Sequence, residues 1–411
     1  MHTRRQLLKA TGISLAALSS ARHTRSLAQS SESDPLWQQV RLQFSFSESA
    51  VPMNAANLCP SFRSVSEAVN SLTIDIDRDC SFNNRAKFGD LLEEARTLVA
   101  NQLNVTADEV ALVRNTSEAN NIINNGLQLD PGSEVLLWDQ NHPTNNVAWD
   151  VRAARFGLTV RKIATPAQPR NSEELVDTFV SRFGANTKVL AITHVSNVSG
   201  IRLPVKEITE AAHQRGIYVH LDGAQTWGAM ALDLKALGVD SFSASAHKWY
   251  MGPREVGLLY IKSSQIENVW PNTIAPGWGS GVETTLRGAR KFESLGQRDD
   301  AALAGLGVAA RHHDSLGMEL IQNRIVQLSQ RLKEGIADSG LSLVTPVDAG
   351  LSLGVCITRA PDGQAGQLAN RLYSEYGIAG APTGGIRLCP TIYNTEEHID
   401  RAVSALKTML G

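Results

Sequence analysis

Residues 220–262, HLDGAQTWGAMALDLKALGVDSFSASAHKWYMGPREVGLLYIK, decide how the chain is read. They begin inside a short β-type run, Ile217-Tyr218-Val219-His220-Leu221, that stops at Asp222. Gln225 follows three residues on. After a crossover punctuated by glycine the chain reads Ser243-Ala244-Ser245-Ala246-His247-Lys248, then Gly252-Pro253. An acid at a strand end is commonly a turn residue, and a His-Lys pair alone is ordinary surface material. In this order and on these elements the pieces make a different sense. A lysine amine bonds a cofactor aldehyde, and a carboxylate holds a proton on a pyridine nitrogen so that the ring can take up electrons. That is what pyridoxal phosphate (PLP) chemistry requires.

Working outward, short apolar runs at residues 110–113, 134–138, 160–163, 189–193 and 256–261 read as strands. Residues 64–71, 88–103 and 205–215 carry apolar positions at three- and four-residue steps and read as helices. Strands alternating with helices predict an α/β fold with a mostly parallel sheet flanked by helices. Ligands in such sheets bind beyond the carboxyl ends of the strands. Thr116, His142, Asn197, Asp222 and Lys248 all follow predicted strands, so one site can gather them. Thr116 and Ser117 open a helix, whose free N–H groups and positive dipole end suit a phosphate. The same residues would also serve as a plain N-cap.

These motifs resemble the aminotransferase class V family of fold-type I PLP enzymes. The resemblance covers about residues 50–408 and looks most like the isopenicillin N epimerase-like branch, with cysteine desulfurases also in the family. It implies a large PLP-binding domain and a smaller α+β domain. Lys248 would carry the Schiff base, Asp222 would pair with the pyridine nitrogen, and Gln225 would hydrogen-bond the ring oxygen. Thr116, Ser117, Ser245 and His247 would reach the phosphate. His142 would stack on the ring, and Asn197 would sit near the ring oxygen and substrate. Residues 51–57, ending at Asn57, would contribute to the substrate mouth, and Arg387 would bind the substrate carboxylate in two-point contact. Departures from the family pattern are Asn141 where relatives usually carry an acid, Glu255 where glycine is commoner, and Gln297 in place of threonine. In the family the Gln297 segment reaches a neighbouring subunit's phosphate, which implies a homodimer. The loop at residues 271–281, rich in Gly and Trp, is expected near the entrance.

The cofactor residues do not separate transamination from epimerisation or elimination of a β-group. One branch is demoted. Desulfurases accept sulfur on a loop cysteine shortly before the carboxylate-binding arginine, and residues 376–385 contain none. Cys389 lies two residues past Arg387, on the strand, and should be packed. The leading expectation is therefore an enzyme acting on the amino group or α-carbon of an amino-acid-type substrate. A cysteine-independent lyase stays open, as does a non-catalytic binding protein on the same fold. A dinucleotide oxidoreductase ranks low, because no G-x-G-x-x-G joins a strand to a helix.

Composition bounds the rest. The 411 residues are 42% hydrophobic and 19% charged, with a net charge of −2, which gives no electrostatic case for nucleic acid. No metal site and no membrane span is expected. Thr3-Arg4-Arg5-Gln6-Leu7-Leu8-Lys9, an apolar run and Ser26-Leu27-Ala28 resemble a twin-arginine signal peptide; a basic tail is the alternative. Such a signal implies a periplasmic or otherwise exported protein that closes around PLP before crossing the membrane. Exported members of the class act in siderophore (pyoverdine) maturation. The expected organisation is a signal at 1–28, an N-terminal segment at 29–64, a large domain at 65–300 and a small domain at 301–411. Within the last, residues 301–336 read as one long helical region, 341–344 and 353–357 as strands, and Asn394 with Glu397 as a capping-box-like start. Four cysteines are too few for a disulfide scaffold. A Cys59–Cys80 bridge and free buried thiols are both open, the latter favoured.

Overall fold

A seven-stranded sheet organises the computed structural model, which describes residues 35–274 and 288–411. The expected signal peptide and residues 275–281 of the entrance loop lie outside the described residues. Strands β2 (Val110–Val113), β3 (Glu134–Trp138), β4 (Thr159–Ile163), β5 (Thr187–Thr193), β6 (Tyr218–Asp222), β7 (Ser241–Ser245) and β8 (Gly257–Ile261) stand in the order β2-β8-β7-β6-β5-β3-β4. All run one way except β8, which is antiparallel to both its neighbours. The carboxyl ends of β2, β3, β5, β6 and β7 therefore share one edge.

Both faces are covered because the strands are apolar on both. Leu112, Leu136, Leu190, Val219, Leu221, Phe242 and Leu258 enter one core. Ala111, Val135, Val189, Leu259 and Ile261 enter the other, with helices Thr116–Gly126 and Pro143–Phe156 supplying Ile123 and Trp149. Alternation along each strand sends neighbouring side chains to opposite cores. The helices expected at 64–71 and 88–103 run Arg63–Arg78 and Lys87–Gln102.

A third core belongs to the C-terminal part, around Leu328, Leu332, Leu372, Ile399 and Leu406. Its strands are short. β9 (Cys356–Thr358) pairs antiparallel with β11 (Ile386–Leu388), and β1 (Val51–Pro52) pairs parallel with β10 (Ile378–Ala379). The N-terminal strand thus crosses to the small sheet, and a bridge from Asn54 to Cys389 brings it beside Arg387.

Several expectations change here. The long helical region is two helices, Asp300–Leu316 and Met318–Asp338, because Gly317 takes φ +85° and ψ 131°, a non-helical conformation open chiefly to glycine. The first of them packs against Lys87–Gln102 and Arg63–Arg78 under the large sheet. Residues 341–344 form only a bridge, Leu343 to Thr358, and the strand expected at 353–357 is displaced to Cys356–Thr358. There the Thr345 hydroxyl takes the Ile357 N–H at 2.9 Å and interrupts the ladder. The last helix, Glu396–Leu410, is capped by Thr395 with His398 three later, one residue beyond the expected pair. Asn394 is instead spent on the Thr391 N–H and the Pro52 carbonyl. All four cysteines are free; Cys59, Cys356 and Cys389 are buried and Cys80 is exposed. No helix among the described residues is long and apolar enough to cross a membrane.

Candidate active site

Asp222 ends β6 at the centre of the common edge and is 1% exposed. Its Oδ1 accepts the Ala224 N–H at 3.0 Å and its Oδ2 accepts Asn120 Nδ2 at 3.0 Å. Each carboxylate oxygen keeps a lone pair for another donor. Lys248 sits on the turn after β7, and its ammonium makes no hydrogen bond among the described residues. Burial holds its pKa below the usual lysine value, Asp222 pulling it up and Arg387 pressing it down. His142 feels the same charges: burial lowers its pKa, Lys248 and Arg387 add to that, and Asp222 opposes it. The structure therefore brings Lys248, Asp222, His142 and Arg387 into one electrostatic neighbourhood.

His142 caps the helix Pro143–Phe156. Its Nδ1 accepts the Thr144 N–H at 3.3 Å and lies 2.8 Å from the Thr144 hydroxyl, so a neutral ring carries its proton on Nε2. Asn141, just before it, donates to the Ala191 carbonyl at 2.9 Å and accepts the Thr193 N–H at 2.8 Å. An acid could make only the second of these bonds, so the amide here clamps β3 to β5.

The start of helix Thr116–Gly126 is tied to β7. The Thr116 N–H donates to Ser245 Oγ at 2.8 Å, and the two hydroxyls lie 2.7 Å apart. Asn115 caps the Glu118 N–H at 3.0 Å. The Ser117 N–H has no partner among the described residues, and the Ser117 side chain is half-buried beside it. Burial, with Lys248 and Arg254 adding, pushes His247 down to about 4, so it stands neutral with one N–H to give. An unpartnered N–H at a helix start, with the Ser117 hydroxyl beside it, suits a phosphate.

Gln225 is 3% exposed, and its amide is engaged: Oε1 accepts Trp249 Nε1 at 2.8 Å and Nε2 donates to the Ala56 carbonyl at 3.1 Å. One amide hydrogen remains for a ring substituent. Asn197 is buried, and its carbonyl accepts Arg387 Nη1 at 3.0 Å. Arg387 Nη2 donates to Asn54 Oδ1 at 3.0 Å, and its Nε is buried without a partner. Arg387 is 4% exposed and no carboxylate pairs with it among the described residues. A buried, uncompensated guanidinium calls for an anion. Asn57 is exposed and sits off this contact; Asn54 is the residue of that segment that holds Arg387. Gln297 is exposed, accepting from Arg85 at 2.8 Å and donating to the Arg298 carbonyl at 3.1 Å.

The residues missed from sequence are Asn54, Asn120 and His220. Asn120 lies one helical turn past Thr116, and His220 lies two residues before Asp222 on the same strand face. Both spacings were visible.

Comparison with known proteins joins this geometry to a family. The model of the aminotransferase class-V family matches residues 80–401. The chain belongs to that family. Isopenicillin N epimerase of Streptomyces clavuligerus is 28% identical over 392 residues, covering 91% of this chain and 98% of that protein. A cysteine desulfurase of Escherichia coli is 31% identical over 330 residues, covering 74% and 78%. Among solved structures, the apo cysteine desulfurase of Thermococcus onnurineus superposes with a TM-score of 0.81 at 21% identity, covering 91% of this chain and 98% of that one. The cystine C–S lyase C-DES, in complex with cysteine persulfide, superposes at 0.80 and 22% identity, covering 88% and 97%. The fold is that of fold-type I PLP enzymes and the protein is a PLP-dependent enzyme. The residues at the strand ends fit the cofactor: a helix start for its phosphate, a carboxylate for its ring nitrogen and a free amine for its aldehyde. Cys80 is exposed, and the other three cysteines are buried. Burial raises Cys389, and pushes Cys59 and Cys356 up to about 12, so none of these three is a ready thiolate.

Proposed function

We propose that this class-V enzyme acts on the amino group or α-carbon of an amino acid, or of an amino acid within a larger metabolite, by transamination or epimerisation. The observation that carries this is the charge neighbourhood of Lys248, Asp222 and buried Arg387, with no carboxylate paired to Arg387 among the described residues. A substrate carboxylate supplies the anion that Arg387 lacks. Bound there, PLP supplies the electron sink that weakens the bonds at the substrate α-carbon. Arg387, braced by Asn54 and the Asn197 carbonyl, binds the carboxylate through its remaining N–H groups. Lys248, its pKa lowered by burial, releases its proton more readily than an exposed lysine and is the base for the α-proton. Asp222 keeps the ring-nitrogen proton in place.

Isopenicillin N epimerase as a full-length relative favours the epimerase branch. The likeness to C-DES keeps a β-elimination reading beside it. The test is a panel of L-amino acids and amino-acid-bearing peptides with three product readouts. Keto acid from the substrate supports transamination, an inverted isomer supports epimerisation, and pyruvate with ammonia supports elimination. A cofactor-loaded protein that changes none of them contradicts an enzyme of this substrate class and favours a binding role.

Export and a place in siderophore tailoring belong to the same proposal, supported by Arg4-Arg5 ahead of the apolar run. Residues 1–28 fused to a reporter should export it, and Arg4→Lys with Arg5→Lys should stop that. Export undiminished by the pair of substitutions contradicts the twin-arginine route.

A further inference from the structure

Behind Asp222 lies a second layer of buried polar groups. Helix Thr116–Gly126 rests on the sheet face formed by His220 and Asp222 of β6 and by Ser241, Ser243 and Ser245 of β7. Val219, Leu221, Phe242 and Ala244, the alternate residues, point into the opposite core. Two strand residues advance about 6.6 Å, and four helical residues advance about 6 Å. Thr116 and Asn120, one turn apart, thus fall in step with Ser245 and Ser243. The structure shows that match: Thr116 bonds Ser245, and the Ser243 hydroxyl donates to Asn120 Oδ1.

Asn120 is 1% exposed, and its amide has one orientation only. Its Oδ1 accepts from Ser243 and lies 2.9 Å from His220 Nε2; its Nδ2 donates to Asp222 Oδ2 at 3.0 Å. Turning the amide over would set its oxygen against the Asp222 carboxylate, which can only accept. His220 is fully buried, and burial pushes it down to about 4, so the ring is neutral. With Nε2–H given to Asn120, Nδ1 accepts from the Ser241 hydroxyl at 2.8 Å.

We propose that Asn120, fixed in turn by His220 and Ser243, is a positioning residue that sets the plane of the Asp222 carboxylate against the cofactor's pyridine nitrogen. The proposal rests on the reading that Asp222 pairs with that nitrogen. A carboxylate turns easily about its terminal torsion. Ala224 N–H pins Oδ1 and Asn120 pins Oδ2, so rotation breaks one bond or both. A carboxylate stripped of Asn120 is held at one oxygen only and no longer keeps its plane against the ring nitrogen.

The test uses full-length protein with its cofactor removed and PLP added back. N120L removes the donor at similar volume. H220F keeps a ring in place and removes the bond that orients the amide. Expected for N120L are roughly tenfold weaker PLP binding and a shifted absorption band of the bound cofactor; for H220F, the same changes at smaller size. Should N120L not fold, H220F carries the test alone. Melting temperatures lowered while PLP affinity and spectrum stay at wild-type values would overturn the proposal, since packing alone would then explain the residues. D222N separates the two levels. If it disturbs affinity and spectrum and the other two do not, only the role of Asn120 falls. If all three bind PLP as wild type does, the pairing of Asp222 with the ring falls as well.

Discussion

Lys248 is a residue whose charge the fold opposes. Its folded pKa lies below the unfolded value because burial outweighs the pull of Asp222. Between those two pKa values the unfolded chain holds a proton that the folded apoprotein has released. Stability therefore rises with pH through that window, below the ordinary lysine value of about 10.4, and is lost as pH falls through the folded pKa. Apoprotein K248A should lack this component and be more stable than wild type at neutral pH. Thermal melts of both apoproteins across pH check this, and a less stable K248A contradicts it. The thiols make a second case at this scale. Cys80 is exposed and the other three are buried with raised pKa values where resolved. In native protein a thiol reagent should label Cys80 first, and C389S should keep its activity with amino acid substrates. Loss of turnover in C389S with PLP still bound would reopen sulfur transfer through that residue.

At the scale of elements, the site depends on how closely a helix start approaches the sheet. A Cβ added at Gly257, the first residue of β8, would lie 2.6 Å from the Ala244 carbonyl and 2.8 Å from Asn115 Cα. Asn115 is the cap of the helix proposed to face the phosphate, so G257A should push that cap away. We expect a cost of roughly 1–3 kcal/mol in stability, together with weaker PLP binding. A PLP titration of G257A with unchanged affinity would show that the cap has no part in holding the cofactor. Glu255, two residues earlier, takes φ +56°, a backbone conformation that favours glycine. E255G should therefore stabilise the protein by about 1 kcal/mol unless its side chain has a task in the site; denaturant unfolding decides. Most of this layer was legible in the sequence. Strand ends, the Thr116 helix start and the Asp222–Lys248 order are local patterns. Other parts joined residues far apart. Asn54 meets Arg387 across 333 positions, and β8 turns antiparallel between β2 and β7, which no strand's own composition reveals. The break at Gly317 was written in the sequence as a glycine but hidden by helical spacing on both sides of it.

For the whole molecule, the described chain places Lys248, Asp222, His142 and Arg387 together without help from a second copy. The proposed homodimer instead concerns the cofactor phosphate, through Gln297. In one chain that side chain is exposed and held by Arg85. Light scattering should give twice the chain mass, and Q297A should weaken PLP binding. A monomer that binds PLP fully would remove the partner from the site. The central claim is narrower: Lys248 is the residue that holds PLP. Cofactor-loaded protein reduced with borohydride, digested and sequenced by mass spectrometry tests it most directly. The phosphopyridoxyl mass should appear on the peptide carrying Lys248 and nowhere else. The same mass on another lysine, or on none in protein shown to contain PLP, would contradict the site described above.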